Sequence, residues 1–211
     1  MPRLLELFSG TGSFGKIANE LNWTVTSLDR DLQSDIKEDI MAWDYTIYTV
    51  DSFDIITASP VCLWWSALRK TNIGRKLKML NGNVLTSKMI DDDIEKFGKP
   101  MVDRVREIIN YFKPKYWLIE NPQSGTMKSY ITDLPYTDVD YCQYSDWGYR
   151  KRTRLWTNIN FTGKLCNKKT CKSVKDGKHI IQMGCKNSTT QKERYRIPSQ
   201  LIRELFNTCE F

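Results

Sequence analysis

Two side chains able to do covalent and proton chemistry sit at the ends of apolar runs that proline closes. One is Cys62, in Phe53-Asp-Ile-Ile-Thr-Ala-Ser-Pro-Val-Cys62, and the other is Glu120, in Tyr116-Trp-Leu-Ile-Glu-Asn-Pro122. Residues 53–57 and 116–120 are largely apolar or β-branched and free of Gly and Pro, a pattern that predicts short buried strands. Proline cannot continue a central ladder, so both reactive groups fall at strand ends. Open α/β sheets place their ligands at the carboxyl ends of their strands. A thiol there becomes a nucleophile when its surroundings lower its pKa from about 8.5. The competing readings are a buried cysteine filling a small hole and a solvated strand-end carboxylate.

A second set of residues has the pattern of a small-ligand site. Leu4 to Phe8 reads as a strand, the following loop carries Gly10 and Gly12, and a helix runs from about Ser13 to Leu21. Glycines let backbone approach a ligand closely, and the helix start offers free N–H groups. The next strand, Thr24 to Leu28, ends in Asp29, where such folds hydrogen-bond ribose hydroxyls. Asp39, after a polar loop, is a further candidate, and a Gly-x-Gly loop alone fits many nucleotide-binding folds.

The remaining elements must hold these groups in place. After Cys62, the stretch from Ser66 to Ile90 contains Arg69, Lys70, Arg75, Lys76, Lys78 and Lys88 and no acid, and Asp91-Asp-Asp-Ile-Glu95 follows. That asymmetry predicts a solvent-facing insertion whose cations suit phosphate, with a merely solvated basic loop as the alternative. Pro100 opens a helix with Val102, Val105, Ile108, Ile109 and Phe112 on one face. A further strand is expected at Val139 to Tyr144, and Arg150-Lys-Arg-Thr-Arg154 leads into an exposed strand through Leu155-Trp156-Thr157. From Phe161 to Glu193 the chain turns polar and lacks hydrophobic periodicity, so it needs the main domain or a metal to order it. Cys166, Cys171, His179 and Cys185 in that segment could satisfy tetrahedral zinc, against the simpler reading of free thiols. Leu201, Ile202, Leu205 and Phe206 mark a short closing helix.

Whole-chain properties bound the function classes. At 211 residues one domain is the default, and a hydrophobic content of 40% suits a soluble globular protein. No apolar run approaches a membrane span, the start lacks secretory-signal features, and no membrane partner is expected. Six dispersed cysteines do not resemble a secreted disulfide framework, which points to a reducing intracellular compartment, cytoplasmic or nuclear. A net charge of +7 favours a polyanionic partner, and seven Trp offer stacking surfaces beside that charge.

Taken together, the residues resemble the DNA cytosine-5 methyltransferase family. Leu5-Glu-Leu-Phe-Ser-Gly-Thr-Gly-Ser-Phe-Gly15 is similar to the family's first motif, Ser59-Pro-Val-Cys62 to its Pro-Cys motif, Glu120-Asn121-Pro122 to its Glu-Asn motif, and Arg152-Thr153-Arg154 to its Arg-x-Arg pair. Arg194-Tyr-Arg-Ile-Pro198 resembles the carboxy-terminal motif of small phage and large-virus forms, and the motifs occur in the family's order over most of the chain. There are departures: Pro60-Val61-Cys62-Leu63 stands where most members have Pro-Pro-Cys-Gln, and Arg150 stands at the usual Gln. The last motif lacks its Gly-Asn pair, and no large target-recognition domain follows Thr157.

The resemblance implies a Rossmann-like α/β sheet with helices on both faces and a small irregular carboxy-terminal insertion. Residues 1–158 would be catalytic, 159–195 a small polar target-recognition insertion that could hold a metal, and 196–211 a helix returning to the catalytic domain. It implies S-adenosylmethionine held by Phe8, Ser9, Gly10, Thr11, Gly12, Asp29, Asp39 and Pro60. Cys62 would attack C6 of cytosine, Glu120 would neutralise the ring, and Arg154, with Arg152 second, would hydrogen-bond the base. Ser66, Arg69, Lys70, Arg75, Lys76 and Lys78 would meet double-stranded DNA around a flipped base, and a monomer is the expected state. Cytosine methylation of RNA, and a non-catalytic descendant that binds DNA or cofactor, are the alternatives.

Overall fold

The computed structural model describes residues 1–182 and 189–211. Its centre is a sheet of β1 (Arg3–Leu7), β2 (Thr24–Leu28), β3 (Ile55–Ala58), β4 (Tyr116–Pro122), β5 (Tyr136–Asp140) and β6 (Arg152–Thr157), in the order β2-β1-β3-β4-β6-β5. The first four strands are parallel, and β6 runs antiparallel between β4 and β5. Because β1 lies between β2 and β3, the strand order reverses there. The loops leaving β1 and β3 therefore flank the crevice where such sheets bind ligands.

Helices cover both faces, which is why the strands read as near-continuous apolar runs. On one face Leu5, Leu7, Ile56, Ile119 and Trp156 pack on Val102, Val105, Ile108 and Phe112 of α4 (Lys99–Phe112). On the other, Leu4, Ile55, Leu118 and Leu155 meet Phe14, Ile17 and Ala18 of α1 (Ser13–Glu20) and Leu201, Ile202, Leu205 and Phe206 of α6 (Ser199–Asn207). The short α2 (Ala67–Lys70), α3 (Ser87–Asp93) and α5 (Gln191–Tyr195), and a hairpin of β7 (Val174–Lys175) and β8 (Lys178–His179), complete the described elements. Among the described residues no helix is long and apolar enough to cross a membrane.

Four local expectations change. β4 runs on through Asn121 to Pro122, which pair with Arg154 and Thr153 of β6, so Glu120 lies within the strand rather than at its end, the antiparallel partner extending the ladder past the expected stop. The acidic run is helical: Thr86 caps α3 by accepting from the Met89 N–H at 3.2 Å, and a π-turn over Ile94–Gly98 joins α3 to α4. That wider turn accommodates Pro100, which has no N–H and would otherwise clash with the preceding turn. β6 is an interior strand with Leu155 and Trp156 fully buried, because β5 reverses the chain and covers its outer edge. The expected strand over Val139–Tyr144 stops at Asp140, and Tyr141–Gln143 form a tight 3-10 turn.

The exposed side of β5 is covered by the chain that follows β6. The Gly163 N–H donates to Thr137 Oγ1 at 2.9 Å, and the Asp140 N–H donates to the Lys164 carbonyl at 3.0 Å. A Cβ at Gly163 would lie 2.2 Å from the Asp138 carbonyl oxygen, so only glycine permits this approach.

Helix α6 fixes the amino-terminal loop from behind: Phe206 packs on Trp23 at 4.5 Å, and the Ile197 N–H donates to Ser13 Oγ at 3.1 Å. Leu201 is fully buried in that contact. Leu201→Ala is expected to lower unfolding free energy by about 2–5 kcal/mol, measured by urea denaturation. A change within a few tenths of a kcal/mol would show that α6 is not an integral part of the core.

Candidate active site

Cys62 occupies the turn that leaves β3, and its position is set from two sides. Asn121 Nδ2 on β4 donates to the Pro60 carbonyl at 2.8 Å, a buried bond tying the turn to the neighbouring strand. Beyond the cysteine, the Trp65 N–H donates to the Cys62 carbonyl at 3.1 Å, and the Trp65 carbonyl accepts the Thr126 N–H at 2.8 Å. The Trp65 ring is buried, stacked on Tyr130 and seated under Gly98 in the π-turn, where an added Cβ would come within 3.0 Å of it. The anchored turn leaves Val61 and Leu63, each 40% exposed, on either side of the half-buried thiol.

Glu120 lies one residue before Asn121 and therefore faces the other side of the sheet. Its carboxylate accepts from Tyr141 Oη at 3.2 Å and sits 3.5 Å from Lys151 Nζ. Burial pushes the Cys62 thiol up, the Lys151 ammonium opposes that, Glu120 raises it further, and Arg194 lowers it. Cys62, Glu120 and Lys151 thus form one coupled group. In it burial keeps the thiol pKa raised, and neutralising the Glu120 charge would remove one of the causes that raise it.

Lys151 was not among the expected residues, although the alternation of β6 marks it. Lys151, Thr153 and Leu155 share a face, and Leu155 pairs directly with Glu120. Arg152 and Arg154 point to the opposite face, where each stands across the ladder from an aspartate. Arg152 Nη2 meets Asp140 at 2.6 Å, and Arg154 Nε meets Asp138 at 2.7 Å while its guanidinium lies over the Tyr136 ring. Burial alone would raise the Asp140 carboxyl, but Arg152, the Cys166 N–H and Arg150 outweigh it and hold it below the usual range. The arginine pair is engaged in cross-strand ion pairs, and the cation beside Glu120 is Lys151.

The expected cofactor residues gather along the ends of β1 and β2. Phe8, Gly10 and Gly12 all have positive φ, at 56°, 55° and 66°, which folds the loop tightly over the start of α1. Ser9 is buried and its hydroxyl has no partner, an orphaned polar atom that a bound ligand would satisfy. Thr11 Oγ1 and Ser13 Oγ lie 3.0 Å apart, and the Thr11 carbonyl accepts from Lys16 Nζ. Asp29 organises the edge, accepting the Gly10 N–H at 2.9 Å on one oxygen and the Asp31 and Leu32 N–H groups on the other. Asp39 caps its own turn through the Met41 N–H and meets Arg30 at 3.4 Å. Pro60 is buried with its carbonyl on Asn121.

Glu6, a lone acid within an apolar strand, is the signal missed on this side. Its two oxygens accept the Phe14 and Gly15 N–H groups at the start of α1, and burial raises it to about 7. A cleft of about 320 Å³ between α1 and β2 is lined by Glu6, Ser9, Gly12, Lys16, Ser27 and Asp35 among others. It includes neither Asp29 nor Pro60, so the expected set follows the sheet edge rather than one enclosed cavity.

Of the basic residues after Cys62, Lys70, Arg75, Lys76 and Lys78 are exposed, and Ser66 is half-buried at the start of α2. Arg69 turns inward, is buried, pairs with Asp93 and lies 5.4 Å over the Trp64 ring, so it holds the insertion rather than facing outward. The insertion itself folds as a hairpin, with the Leu85 N–H on the Arg75 carbonyl and the Gly82 N–H on the Leu77 carbonyl. Cys166, Cys171 and His179 lie together, and among the described residues Cys142 is the further thiol beside them. Cys185 lies outside the described residues.

No family model matches the chain. A protein of Frog virus 3 (isolate Goorha), named a probable DNA (cytosine-5)-methyltransferase, is 41% identical over 221 residues, covering 98% of this chain and 100% of that protein. Among solved structures, the Entamoeba histolytica methyltransferase EhMeth is similar with a TM-score of 0.51 at 13% identity, over 78% of this chain and 56% of that one. The S. pombe Dnmt2 methyltransferase gives a TM-score of 0.44 at 17% identity, over 78% of this chain and 51% of that one. The chain thus spans about half the length of these solved methyltransferases, and the likeness to EhMeth is one of fold. The viral relative matches from end to end, and by that match the chain belongs to the DNA (cytosine-5)-methyltransferase family.

Proposed function

We propose that the chain methylates C5 of a cytosine flipped out of double-stranded DNA, through a transient covalent bond from Cys62. The observation that carries this reading is the coupled group of Cys62, Glu120 and Lys151 at the carboxyl edge of the sheet, with a buried, partnerless Ser9 hydroxyl in the neighbouring glycine loop. S-Adenosylmethionine fits along the Phe8–Gly12 loop and Asp29, and when bound supplies a methyl group on a sulfonium centre. Ser9 Oγ would satisfy its hydrogen-bonding capacity on that ligand, and Asp29 would hold the loop shape that receives it.

Cytosine C5 is a weak nucleophile, so the ring must first gain electron density. The Cys62 thiolate adds to C6, and the charge entering the ring is neutralised at N3 by a proton shared with Glu120. C5, now enamine-like, would accept the methyl group that the bound cofactor supplies; transfer of the C5 proton to water and expulsion of the Cys62 thiolate would then restore the aromatic ring. The electrostatics suit this order. Neutralising Glu120 at N3 removes a charge that raises the Cys62 thiol, while Lys151 continues to favour the thiolate. Binding the base would thus remove one of the two contributions that hold the thiol up. Lys70, Arg75, Lys76 and Lys78 are exposed and would meet phosphates, whose contacts would offset a flipping cost of about a few kcal/mol.

A duplex carrying 5-fluorocytosine at the target should trap the adduct, because fluorine cannot leave as a proton does. Wild-type protein is expected to form a denaturation-resistant complex that maps to the Cys62 peptide; Cys62→Ala should form none while still binding S-adenosylmethionine. Glu120→Gln is expected to slow adduct formation by about a hundredfold or more. An adduct on another cysteine would overturn the assignment. An adduct with RNA and none with DNA would favour the RNA reading, and cofactor binding without any adduct the non-catalytic one.

The charge coupling gives a second outcome, read by pH-dependent alkylation of the Cys62 peptide. Lys151 lowers the thiol more than Glu120 raises it. Lys151→Gln should therefore move the alkylation midpoint to higher pH, and Glu120→Gln should move it to lower pH, although both lose methyl transfer. Midpoints that do not move, or that move in the same direction, would remove Lys151 from the site.

A further inference from the structure

We propose that Cys142, Cys166, Cys171 and His179 form a structural zinc site that clamps the polar segment after β6 onto the far edge of the sheet. The four ligand atoms all lie within 4.8 Å of one another. His179 Nε2 is 3.5 Å from Cys166 Sγ and 3.7 Å from Cys171 Sγ. A tetrahedral zinc with its usual bond lengths separates sulfur from nitrogen by about 3.6 Å and sulfur from sulfur by about 3.8 Å. These two edges match such a site, and the remaining ligand pairs lie within 4.8 Å of one another.

The surroundings are built for such a site. Cys142 stands on the 3-10 turn that ends β5, so one ligand belongs to the sheet and the other three to the appended segment. Asp140, with no exposed side-chain surface, accepts the Cys166 N–H at 2.8 Å and pairs with Arg152, which fixes the loop carrying the second thiol. His179 is presented by β8, across a tight turn at Asp176–Gly177 with φ of 52° and 73°. Those values suit a two-residue hairpin turn that needs Asp-Gly or a similar pair. The segment has little apolar interior of its own, with Leu165 and Ile180 both exposed. Folding energy must then come from the metal, as in other small thiolate domains. Four protein ligands leave no open position, so the role is structural rather than hydrolytic.

The position also gives the site a reach into the reaction centre. Cys142 directly follows Tyr141, whose hydroxyl donates to Glu120, and Ile181, two residues after His179, donates its N–H to the Gly148 carbonyl at 2.8 Å, just before Lys151. Clamping these ligands holds the two groups that flank the Glu120 carboxylate.

Metal analysis of the full chain purified without chelators should show stoichiometric zinc. Titration with cobalt(II) should give the intense thiolate absorption of a tetrahedral site. Cys142→Ser and His179→Ala should lose both signals, and Cys185→Ser should keep both. Wild-type protein that shows neither zinc nor a tetrahedral cobalt spectrum overturns the site. Loss in Cys185→Ser with retention in Cys142→Ser overturns this ligand set. Should Cys142→Ser prove insoluble, the cobalt spectra of wild type and Cys185→Ser decide, since loss of the band in the latter contradicts the assignment.

Discussion

The hydrogen bond from Asn121 Nδ2 to the Pro60 carbonyl sets the register between the two reactive loops of this protein. It is buried, and it joins the turn after β3 to the end of β4, so Cys62 cannot move relative to Glu120 without breaking it. The direction of the side chains matters as much as the bond. Asn121 points to the α4 face, which leaves Glu120 on the other face, toward Tyr141 and Lys151. One residue ties the turn in place, and its neighbour presents a carboxylate to the opposite face. Trp65 completes the support from below, wedged between the π-turn at Gly98 and the backbone at Gly125, where a Cβ would come within 2.9 Å of its carbonyl oxygen.

A second constraint is charge. The stretch 150–154 carries four cations, and the sheet sorts them by face. Arg152 and Arg154 are matched across the ladder by Asp140 and Asp138, which makes a strongly basic strand compatible with an interior position. Lys151 alone is delivered to the Glu120 side. The Cys62 thiol, buried beside a carboxylate and an ammonium, feels both charges, the ammonium opposing the rise that burial and the carboxylate cause.

Several elements of the fold serve twice. Helix α6 closes the core on the α1 side while the segment before it reaches Ser13 beside the glycine loop. The polar run after β6 covers the β5 edge, which would otherwise offer unpaired backbone, and it does so through a glycine approach and an aspartate already engaged with Arg152. Such a segment stabilises the reaction site from outside without adding a large second core.

The sequence by itself determined the first strands, the glycine loop, the position of Cys62 beyond the end of β3, and the core faces of α4 and α6, whereas Glu120, expected at a strand end, lies within β4, which runs on to Pro122. Each is written in local pattern: apolar runs stopped by proline, a Gly-x-Gly before a helix, and periodic Leu, Ile and Phe. It also contained Lys151 and Glu6, as an alternation on β6 and a lone acid in an apolar strand, though neither pattern names its partner. The tertiary structure alone decided the rest, because it depends on which residues distant in the chain become neighbours. Whether Arg152 or Lys151 faces Glu120 follows from the antiparallel register of β6 on β4. Whether Arg69 faces solvent or Asp93 follows from where α3 folds back. Cys142 joins Cys166, Cys171 and His179 because β5 ends two residues before it and the chain returns along that edge, a meeting that no spacing in the sequence expresses.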